Sequence, residues 1–425
     1  MITNNRLLIL GKRSNQLKLK SISMLLCIVL MAACQSRTQR EEIMTFNDDL
    51  TFLNKYTDTI LLSDSSGQAQ VIASAGMQGR VLTSTASGGE GMSFGWINYG
   101  DVSSGIRDPH FNPFGGEDRF WLGPEGGQYA LYFEEDKPFD LENWYVPAEF
   151  DWDSWEVTDQ TDSTVTFEKE MTLTNYSGFT FDLSVNRVVQ LLENDESAGE
   201  LNLNKNLNVQ SVAYKSINTI TNTGEQAWEK ETGLLSIWIL GMFRPSPQTT
   251  IVIPFKQGPE EKLGPIVNDV YFGKIPADRL AVKDRNIYFK GDGEFRSKIG
   301  VSPERSLYIA GSYNADDQVL TVVKMSPPEG TGRLPYVNSL WELQDNPYGG
   351  DVINAYNDGP PEPGKEPLGP FYELETSSPG AQLNPGESIS HTHMTFHFTG
   401  KESELDKISR KLFHVSLEEI KSIFR

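Results

Sequence analysis

The chain has 425 residues, of which 37 are Lys or Arg and 58 are Asp or Glu, so its formal net charge is −21. An acidic surface repels phosphate backbones, which argues against nucleic acid as a partner and favours a neutral polar ligand. The 37 glycines, the 23 prolines and an aromatic share of 11% predict a turn-rich, mostly β protein with enough chain for a sizeable core.

The first 33 residues have the composition of a secretory signal. Basic residues up to Lys20 precede the apolar run Met24–Met31, which two alanines and Cys34 follow. The run is shorter than the roughly 18 to 20 residues of a membrane-spanning helix, which argues against a transmembrane anchor. Cys34 resembles the lipidated cysteine of a bacterial lipobox. We therefore expect a signal peptide at 1–33, a lipid on Cys34, a tether at 34–47, and a location in the bacterial cell envelope, lipid-anchored to the outer membrane.

Strand-like segments fill most of the chain after the tether. Residues 59–86 alternate apolar and polar side chains between glycines, which predicts a three-stranded antiparallel meander. Residues 156–240 contain four more such segments, separated by Asn, Asp or Gly. Further strands are predicted at Thr250–Pro254, Asn286–Lys290, Ser306–Tyr313 and Gln318–Lys324. The fold class that this pattern predicts is all-β.

A glycine-rich stretch at 108–133 brings ionisable and aromatic residues close together. Four of these residues lie between the glycine pairs Gly115-Gly116 and Gly126-Gly127, namely Glu117, Arg119, Trp121 and Glu125. Glycine pairs permit positive φ and close backbone approach, so we expect this stretch to fold tightly over a ligand that these four residues contact. The nucleotide-binding patterns G-x-G-x-x-G and Walker A are absent from the sequence, and no cofactor is expected.

Two further stretches combine aromatic rings with carboxylates or amides. Residues 143–155 are NWYVPAEFDWDSW, and residues 336–360 contain Trp341, Asn354, Asn357 and Asp358. Rings cover the apolar face of a pyranose while carboxylates and amides bond its hydroxyls, so both stretches are typical of a sugar site. The alternatives are core packing for the rings and turn geometry for Asn and Asp. We expect the four named residues to bind the ligand.

The stretch Leu368–Phe398 carries the densest set of ionisable residues. It has the pattern of two strands joined by a turn, and alternation puts Glu373 and Glu375 on one face of the first strand. His391, His393 and His397 share one face of the second strand, and the opposite faces of both strands are apolar. The pattern therefore predicts a hairpin with a core-facing back and a front of carboxylates and imidazoles. In one alternative, His391 and His393 hold a metal ion together with Glu373.

The C-terminal residues 401–425 are predicted to form a helical tail. Ser416 and Glu419 fit a capping box before the apolar residues that follow them.

The motifs of this last third resemble those of the galactose mutarotase or aldose 1-epimerase superfamily. The resemblance lies in Leu374-Glu375-Thr376, in Pro385-Gly386-Glu387 and in the strand SINTITNTG at 216–224. It implies a large antiparallel β-supersandwich over residues 48–400 and Glu375 as the base that takes the proton from the anomeric hydroxyl. The superfamily places a histidine in an H-x-Y-F motif after the T-N-x-G turn, whereas SIWILGMF here has none. The resemblance thus indicates a divergent branch.

These observations predict a carbohydrate-binding or carbohydrate-processing lipoprotein that lacks standard mutarotase activity. Mutarotation needs an acid for the ring oxygen as well as a base, and the family's acid is missing. The alternative is an active epimerase-like enzyme with Glu375 as base and Arg119 or His393 as its acid or electrophile. In either case we expect Glu373 and His391 to contact the ligand.

Overall fold

Antiparallel β-strands form the framework of the protein. The structure is a computed structural model that describes residues 44–328, 334–362 and 364–425. These residues belong to one compact unit, Met44–Arg425. The predicted signal peptide 1–33, the lipid on Cys34 and all but the end of the tether 34–47 lie outside the described residues and stay predictions.

The described residues contain eighteen strands. In chain order they are β1 (Thr59–Ser63), β2 (Gln70–Ser74), β3 (Arg80–Thr85), β4 (Arg119–Gly123), β5 (Glu156–Gln160), β6 (Thr164–Thr174), β7 (Thr180–Leu191), β8 (Val209–Asn222), β9 (Ser236–Phe243), β10 (Thr249–Pro254), β11 (Leu280–Lys283), β12 (Asn286–Lys290), β13 (Ser297–Val301), β14 (Ile309–Asn314), β15 (Val319–Met325), β16 (Ile353–Asn357), β17 (Tyr372–Ser377) and β18 (Ser388–Gly400).

The strands form three sheets, and every pairing between strands is antiparallel among the described residues. The first sheet is the predicted meander, β1-β2-β3. The second has ten strands in the order β11-β12-β10-β14-β15-β18-β8-β7-β6-β5, and the third has five in the order β13-β16-β17-β9-β4. The all-β antiparallel sandwich that the sequence predicts is confirmed.

Short helices complete the described part of the chain. They are α1 (Phe46–Leu53), α2 (Tyr99–Ser104), α3 (Ala148–Asp151), α4 (Asn194–Glu200), α5 (Glu260–Leu263), α6 (Glu402–Phe413) and α7 (Leu417–Ser422), with a 3-10 turn at Ala75–Met77. The C-terminal helices and the Ser416–Glu419 capping box are as predicted. Within the described ranges, no helix is both long and apolar enough to cross a lipid bilayer.

Two apolar layers hold the sandwich together. One lies between the sheets and joins side chains of β10, β12 and β15 to side chains of β13, β16 and β17, for example Ile251 and Leu374. The other lies on the far side of the ten-stranded sheet, where Phe396 and Phe398 of β18 pack with Ile408 and Leu417 of the C-terminal helices. Alternating residues of one strand therefore serve two different cores.

The prediction that Leu368–Phe398 forms a hairpin is wrong. β17 pairs with β16 and β9 in the five-stranded sheet, whereas β18 pairs with β15 and β8 in the ten-stranded sheet. The connection at 378–387 crosses from one layer to the other, so the apolar sides of the two strands face different cores. Alternation fixes the two faces of a strand but does not say which sheet the strand joins.

Arg187 on β7 ties the three sheets together. Its guanidinium donates to the Asn218 Oδ1 on β8 at 2.6 Å, to the Gly79 carbonyl beside β3 at 2.9 Å, and to the Asp118 Oδ1 beside β4 at 2.6 Å. The side chains of Arg187, Asn218 and Asp118 are fully buried. A buried charge is tolerated only when it is paired and hydrogen-bonded, so these acceptors must stay in place.

We expect Arg187→Leu to lower the free energy of unfolding by about 3 to 5 kcal/mol, because it leaves the Asp118 carboxylate buried without its partner. Chemical denaturation followed by tryptophan fluorescence measures the loss. The control is Arg410→Leu, which removes a surface pair with Asp406 on α6 and should cost less than about 1 kcal/mol. Equally small losses for both variants would contradict the role given to Arg187.

Candidate functional site

The outer face of the five-stranded sheet carries the candidate site. Cross-strand partners point to the same side of a sheet, so the register defines which side chains share this face. One row across the sheet consists of Lys298, Tyr356, Glu373 and Met242. The next consists of Gly300, Asn354, Glu375, Leu240 and Arg119, and Trp238 and Trp121 are paired beyond it. The opposite face, with Leu374 and Ile299, belongs to the core between the sheets.

Four tryptophans make the walls of a cleft above this face, which we call the tryptophan cleft. Trp121 and Trp238 come from the sheet and meet edge to face, with ring centroids 5.6 Å apart. Trp144 and Trp341 come from loops and stack with centroids 5.9 Å apart. The cleft with its open mouth encloses about 810 Å³, and Phe111, Tyr356 and Phe371 add further rings to its lining. An aromatic lining with a few charged groups is typical of a site for an organic ligand.

The glycine pair Gly126-Gly127, which follows β4, lies close to the loop that carries Trp341. A Cβ on Gly126 would lie 2.3 Å from the Leu340 carbonyl oxygen and 2.9 Å from the Trp341 Cα. Gly127 has a φ of +83°, which other residues adopt only with strain. The expected close backbone approach is present at this pair, and that the segment covers a ligand stays a prediction.

Glu375 lies in the sheet face beneath the cleft and is fully buried. Its Oε2 accepts from the Trp238 Nε1 at 2.8 Å and from the Lys298 Nζ at 2.9 Å, and both of these side chains line the cleft. Burial acts to lower the pKa of Lys298, but the carboxylates of Glu375 and Glu125 outweigh it and raise that pKa above its ordinary value. Lys298 is therefore a permanent cation in the floor of the cleft.

Glu373 lines the cleft directly, two residues before Glu375 on β17. It forms a buried ion pair with Arg119 on β4. Burial raises the pKa of Glu373 to about 7, although the Arg119 guanidinium acts in the opposite direction. Burial also raises the pKa of Glu125 and of Asp358, which line the same cleft. Glu373 can therefore hold a proton near neutral pH.

Several buried polar atoms of the cleft residues have no hydrogen-bond partner in the described part of the chain. They are the Arg119 Nε and Nη1, the Trp121 Nε1, the Trp144 Nε1 and the Glu375 Oε1. Three other arginines are equally buried, namely Arg80, Arg187 and Arg305, and every guanidinium nitrogen of those three is bonded. Arg119 differs from them because it lies in the cleft, where a ligand can supply the missing acceptors.

The structure brings together six of the predicted site residues at the cleft surface: Arg119, Trp121, Glu125, Trp341, Asp358 and Glu373. Glu375 is not among the cleft-lining residues, but it accepts hydrogen bonds from Lys298 and Trp238, which are. Asn354 lies on the same face but bonds the Tyr271 hydroxyl and the Ile299 carbonyl.

His391 and His393 are not among the cleft-lining residues. They lie between the two sheets, where the Thr376 hydroxyl contacts the His391 Nε2 at 2.8 Å and the His393 Nδ1 at 2.9 Å. Burial lowers the pKa of His391 to about 3 and that of His393 to about 4, so both rings are neutral at neutral pH. Glu373 faces the other side of the five-stranded sheet, because it alternates with Thr376 along β17. The structure therefore separates the three side chains of the alternative metal site.

Glu117 and Asn357 also face the interior. The Glu117 carboxylate accepts from the Ser84 backbone and the Tyr214 hydroxyl and contacts the His397 Nε2 at 3.0 Å. Asn357 accepts from the Gly293 backbone and donates to the Phe295 carbonyl. Both are bonded within the protein and away from the cleft. Among the described residues, no group of three or more His, Cys, Asp or Glu side chains is placed to hold a metal ion.

Lys298 and Trp238 are the site residues that sequence reasoning missed. Lys298 stands alone among apolar and small residues in the strand SKIGV, where alternation sets it on the face opposite Ile299 and Val301. An isolated lysine within an apolar strand is the signal that could have found it. Trp238 lies in the predicted strand TGLLSIWIL, where the sequence pattern does not distinguish it from a core residue.

Comparisons with known proteins indicate that the sequence of this chain is divergent. The model of a family of unknown function, DUF6786, matches residues 44–424. No curated protein matches the sequence. Among solved structures, a galactose mutarotase-like protein from Lactobacillus casei ATCC 334 is 13% identical with a TM-score of 0.46, covering 80% of this chain and 100% of its own. The Slr1438 protein from Synechocystis sp. PCC 6803 is 14% identical with a TM-score of 0.46, covering 81% of this chain and 98% of its own. Similarity at this level does not assign the ligand or the activity of those proteins to this chain.

We expect the stabilising contribution of Glu373 to fall as the pH rises. Its pKa is raised from 4.5 to about 7 in the folded protein, so in this window the folded state holds a proton that the unfolded chain has released. The contribution is fully present below about pH 4.5 and is lost as the pH rises through about 7. The difference in unfolding free energy between the protein and Glu373→Gln should decrease across the window, by at most about 1.4 kcal/mol per pH unit.

Denaturation curves between pH 4 and pH 8 measure this difference. Glu404→Gln serves as a control whose difference should stay level above about pH 4.5, because hydrogen bonding by Lys407 lowers the pKa of Glu404 and its contribution is lost only as the pH falls below the ordinary carboxyl range. A Glu373→Gln difference that does not change with pH would show that this carboxyl is not perturbed.

Proposed function

We propose that this chain, which belongs to the family of unknown function DUF6786, binds a carbohydrate in the tryptophan cleft. The observation that carries the proposal is the set of buried donors on Arg119, Trp121 and Trp144 that have no partner among the described residues and lie among aromatic rings. Sugar hydroxyls accept hydrogen bonds from such donors and donate to carboxylates. The apolar face of a pyranose packs on rings.

The charges of the cleft fit a polyhydroxylated ligand. Arg119 and Lys298 offer cationic donors, and Glu373, Asp358 and Glu125 offer acceptors that become donors when they are protonated. Each charge is already paired or has a raised pKa, so the ligand need not carry a compensating charge. A neutral sugar presents both donors and acceptors to such a set. The signal sequence and the lipobox-like Cys34 add a proposed location, the bacterial cell envelope.

We expect Trp341→Ala to weaken sugar binding about tenfold or more, because it removes a stacking ring from the cleft wall. Trp341 is half-buried and lies on a loop, so its loss should leave the sheets intact. Isothermal titration calorimetry against a panel of mono- and oligosaccharides measures the effect. Tyr56→Ala, an exposed ring that follows α1, is the matched control and should bind as the unchanged protein does. If the unchanged protein binds no sugar of the panel, the proposal fails.

A second candidate is proton transfer at the anomeric carbon of the bound sugar. The observation that favours it is the pair of carboxyls on one face of β17: Glu373 is half protonated near neutral pH, and Glu375 has an unpartnered Oε1. Mutarotation needs one group to take the proton from the anomeric hydroxyl and another to protonate the ring oxygen as the bond between that oxygen and the anomeric carbon breaks. Glu373, which lines the cleft, would be the acid, and Glu375 would be the base once Lys298 and Trp238, which cover its carboxylate, move aside. The Arg119 guanidinium offers only N–H donors, so its role would be to stabilise developing negative charge.

Under this second candidate, Glu373→Gln and Glu375→Gln should each lower the mutarotation rate by about 100-fold or more while sugar binding persists. Polarimetry with freshly dissolved aldoses measures the rate. Glu366→Gln is the control, because this carboxyl lines the same cleft but is exposed, and its activity should stay near that of the unchanged protein. Unaltered rates in both β17 variants would remove the catalytic candidate and leave the binding proposal standing.

A further inference from the structure

We propose that the ligand of the tryptophan cleft is a glycoside whose sugar ring carries an apolar substituent. The inference rests on the proposed function, since it assigns the cleft floor to the sugar. In addition, it assigns the mouth of the tryptophan cleft to the apolar substituent of that sugar.

The character of the cleft changes between its floor and its mouth. Arg119, Glu373 and Lys298 are buried in the floor. Three large apolar side chains that line the same cleft are exposed: Leu141 at 51%, Leu368 at 47% and Phe272 at 39% of their surface. We call these three residues the apolar rim. A ligand that fills the cleft from floor to rim therefore needs a polar end and an apolar end.

The apolar rim is assembled from three separate segments. Leu141 lies between β4 and α3, Phe272 between α5 and β11, and Leu368 between β16 and β17. Single exposed apolar side chains are normal on a protein surface, but several that converge on one cleft indicate a surface that another molecule covers. The Phe272 ring is also flanked by Arg296, whose guanidinium carbon lies 4.0 Å from the ring centroid. The Arg296 guanidinium covers one face of the Phe272 ring, and the ring remains part of the cleft lining.

A free monosaccharide would not use this rim. Its hydroxyls gain nothing from contact with Leu141 or Leu368, and they would lose hydrogen bonds to water there. An alkyl or aryl group linked to the sugar would instead remove apolar surface of both partners from water.

The experiment compares methyl and n-octyl pyranosides of glucose, galactose, mannose and N-acetylglucosamine, each below its micelle concentration. Calorimetry or the fluorescence of the cleft tryptophans gives the dissociation constants. For the sugar that binds, we expect the octyl glycoside to bind at least about tenfold more tightly than the methyl glycoside, the gain from burying two or more methylene groups. Octyl tetraethylene glycol, which has the same chain without a sugar, should bind much more weakly.

The double variant Leu141→Ser, Phe272→Ser should reduce the octyl advantage to less than about threefold while the methyl glycoside binds as before. Leu61→Ser is the matched control, since Leu61 is 40% exposed on β1 and is not part of the cleft lining. It should keep the full advantage. Circular dichroism checks that all variants are folded.

The outcomes separate this inference from the function on which it rests. Equal affinity for methyl and octyl glycosides overturns the inference and leaves sugar binding in place. An octyl advantage that survives in the double variant overturns it as well, because the apolar rim would then not be the cause. Octyl tetraethylene glycol binding as tightly as the octyl glycosides overturns the requirement for a sugar. If no glycoside of either kind binds, both proposals fail.

Discussion

The buried guanidinium of Arg187 is the interaction on which the arrangement of the sheets depends. A planar cation without water needs acceptors in fixed directions, and Arg187 finds them beside β3, beside β4 and on β8. These elements belong to the three-stranded, five-stranded and ten-stranded sheets respectively. Apolar packing between sheets is not directional, so it allows sliding that a bonded charge does not. The position of β4, and therefore of Arg119 and Trp121 on it, follows from this constraint.

The five-stranded sheet is buried on both faces, and the inner face packs in the core whereas the outer face forms the candidate site. Its inner face carries Leu374 and Ile299 into the core between the layers. Its outer face carries Glu373, Glu375, Lys298 and Arg119 into and beneath the tryptophan cleft. Because alternate residues of the same strand serve core and site, the rigidity of the sandwich is transmitted directly to the site. Loops supply only the upper walls, through Trp144 and Trp341.

Buried charge distinguishes the structural parts of this molecule from its candidate site. Arg80, Arg187 and Arg305 have all their nitrogens bonded within the chain, as stability requires. Arg119 has two nitrogens without a partner in the described residues, and Glu375 has one such oxygen. An unsatisfied buried group costs stability, and it persists where a ligand satisfies it. Among the four arginines that are fully buried, the missing partners thus single out the one that lies in the cleft, Arg119.

The sequence by itself determined the all-β class, the meander of the first sheet, the strand at Asn286–Lys290 and the capped C-terminal helix, because these depend on local alternation and on turn or capping residues. It also singled out Glu373, Glu375, Arg119 and Trp121, since charged and aromatic residues within strand patterns are conspicuous. Only the tertiary structure decided that β17 and β18 belong to different sheets, which placed His391 and His393 between the layers and the two glutamates on the far side. Lys298, which is 77 residues from Glu375 in the chain, likewise became a partner only through the β13-β16-β17 order. The physical reason is that alternation fixes the faces of each strand locally, whereas the choice of neighbouring strands is made by packing across the whole sandwich.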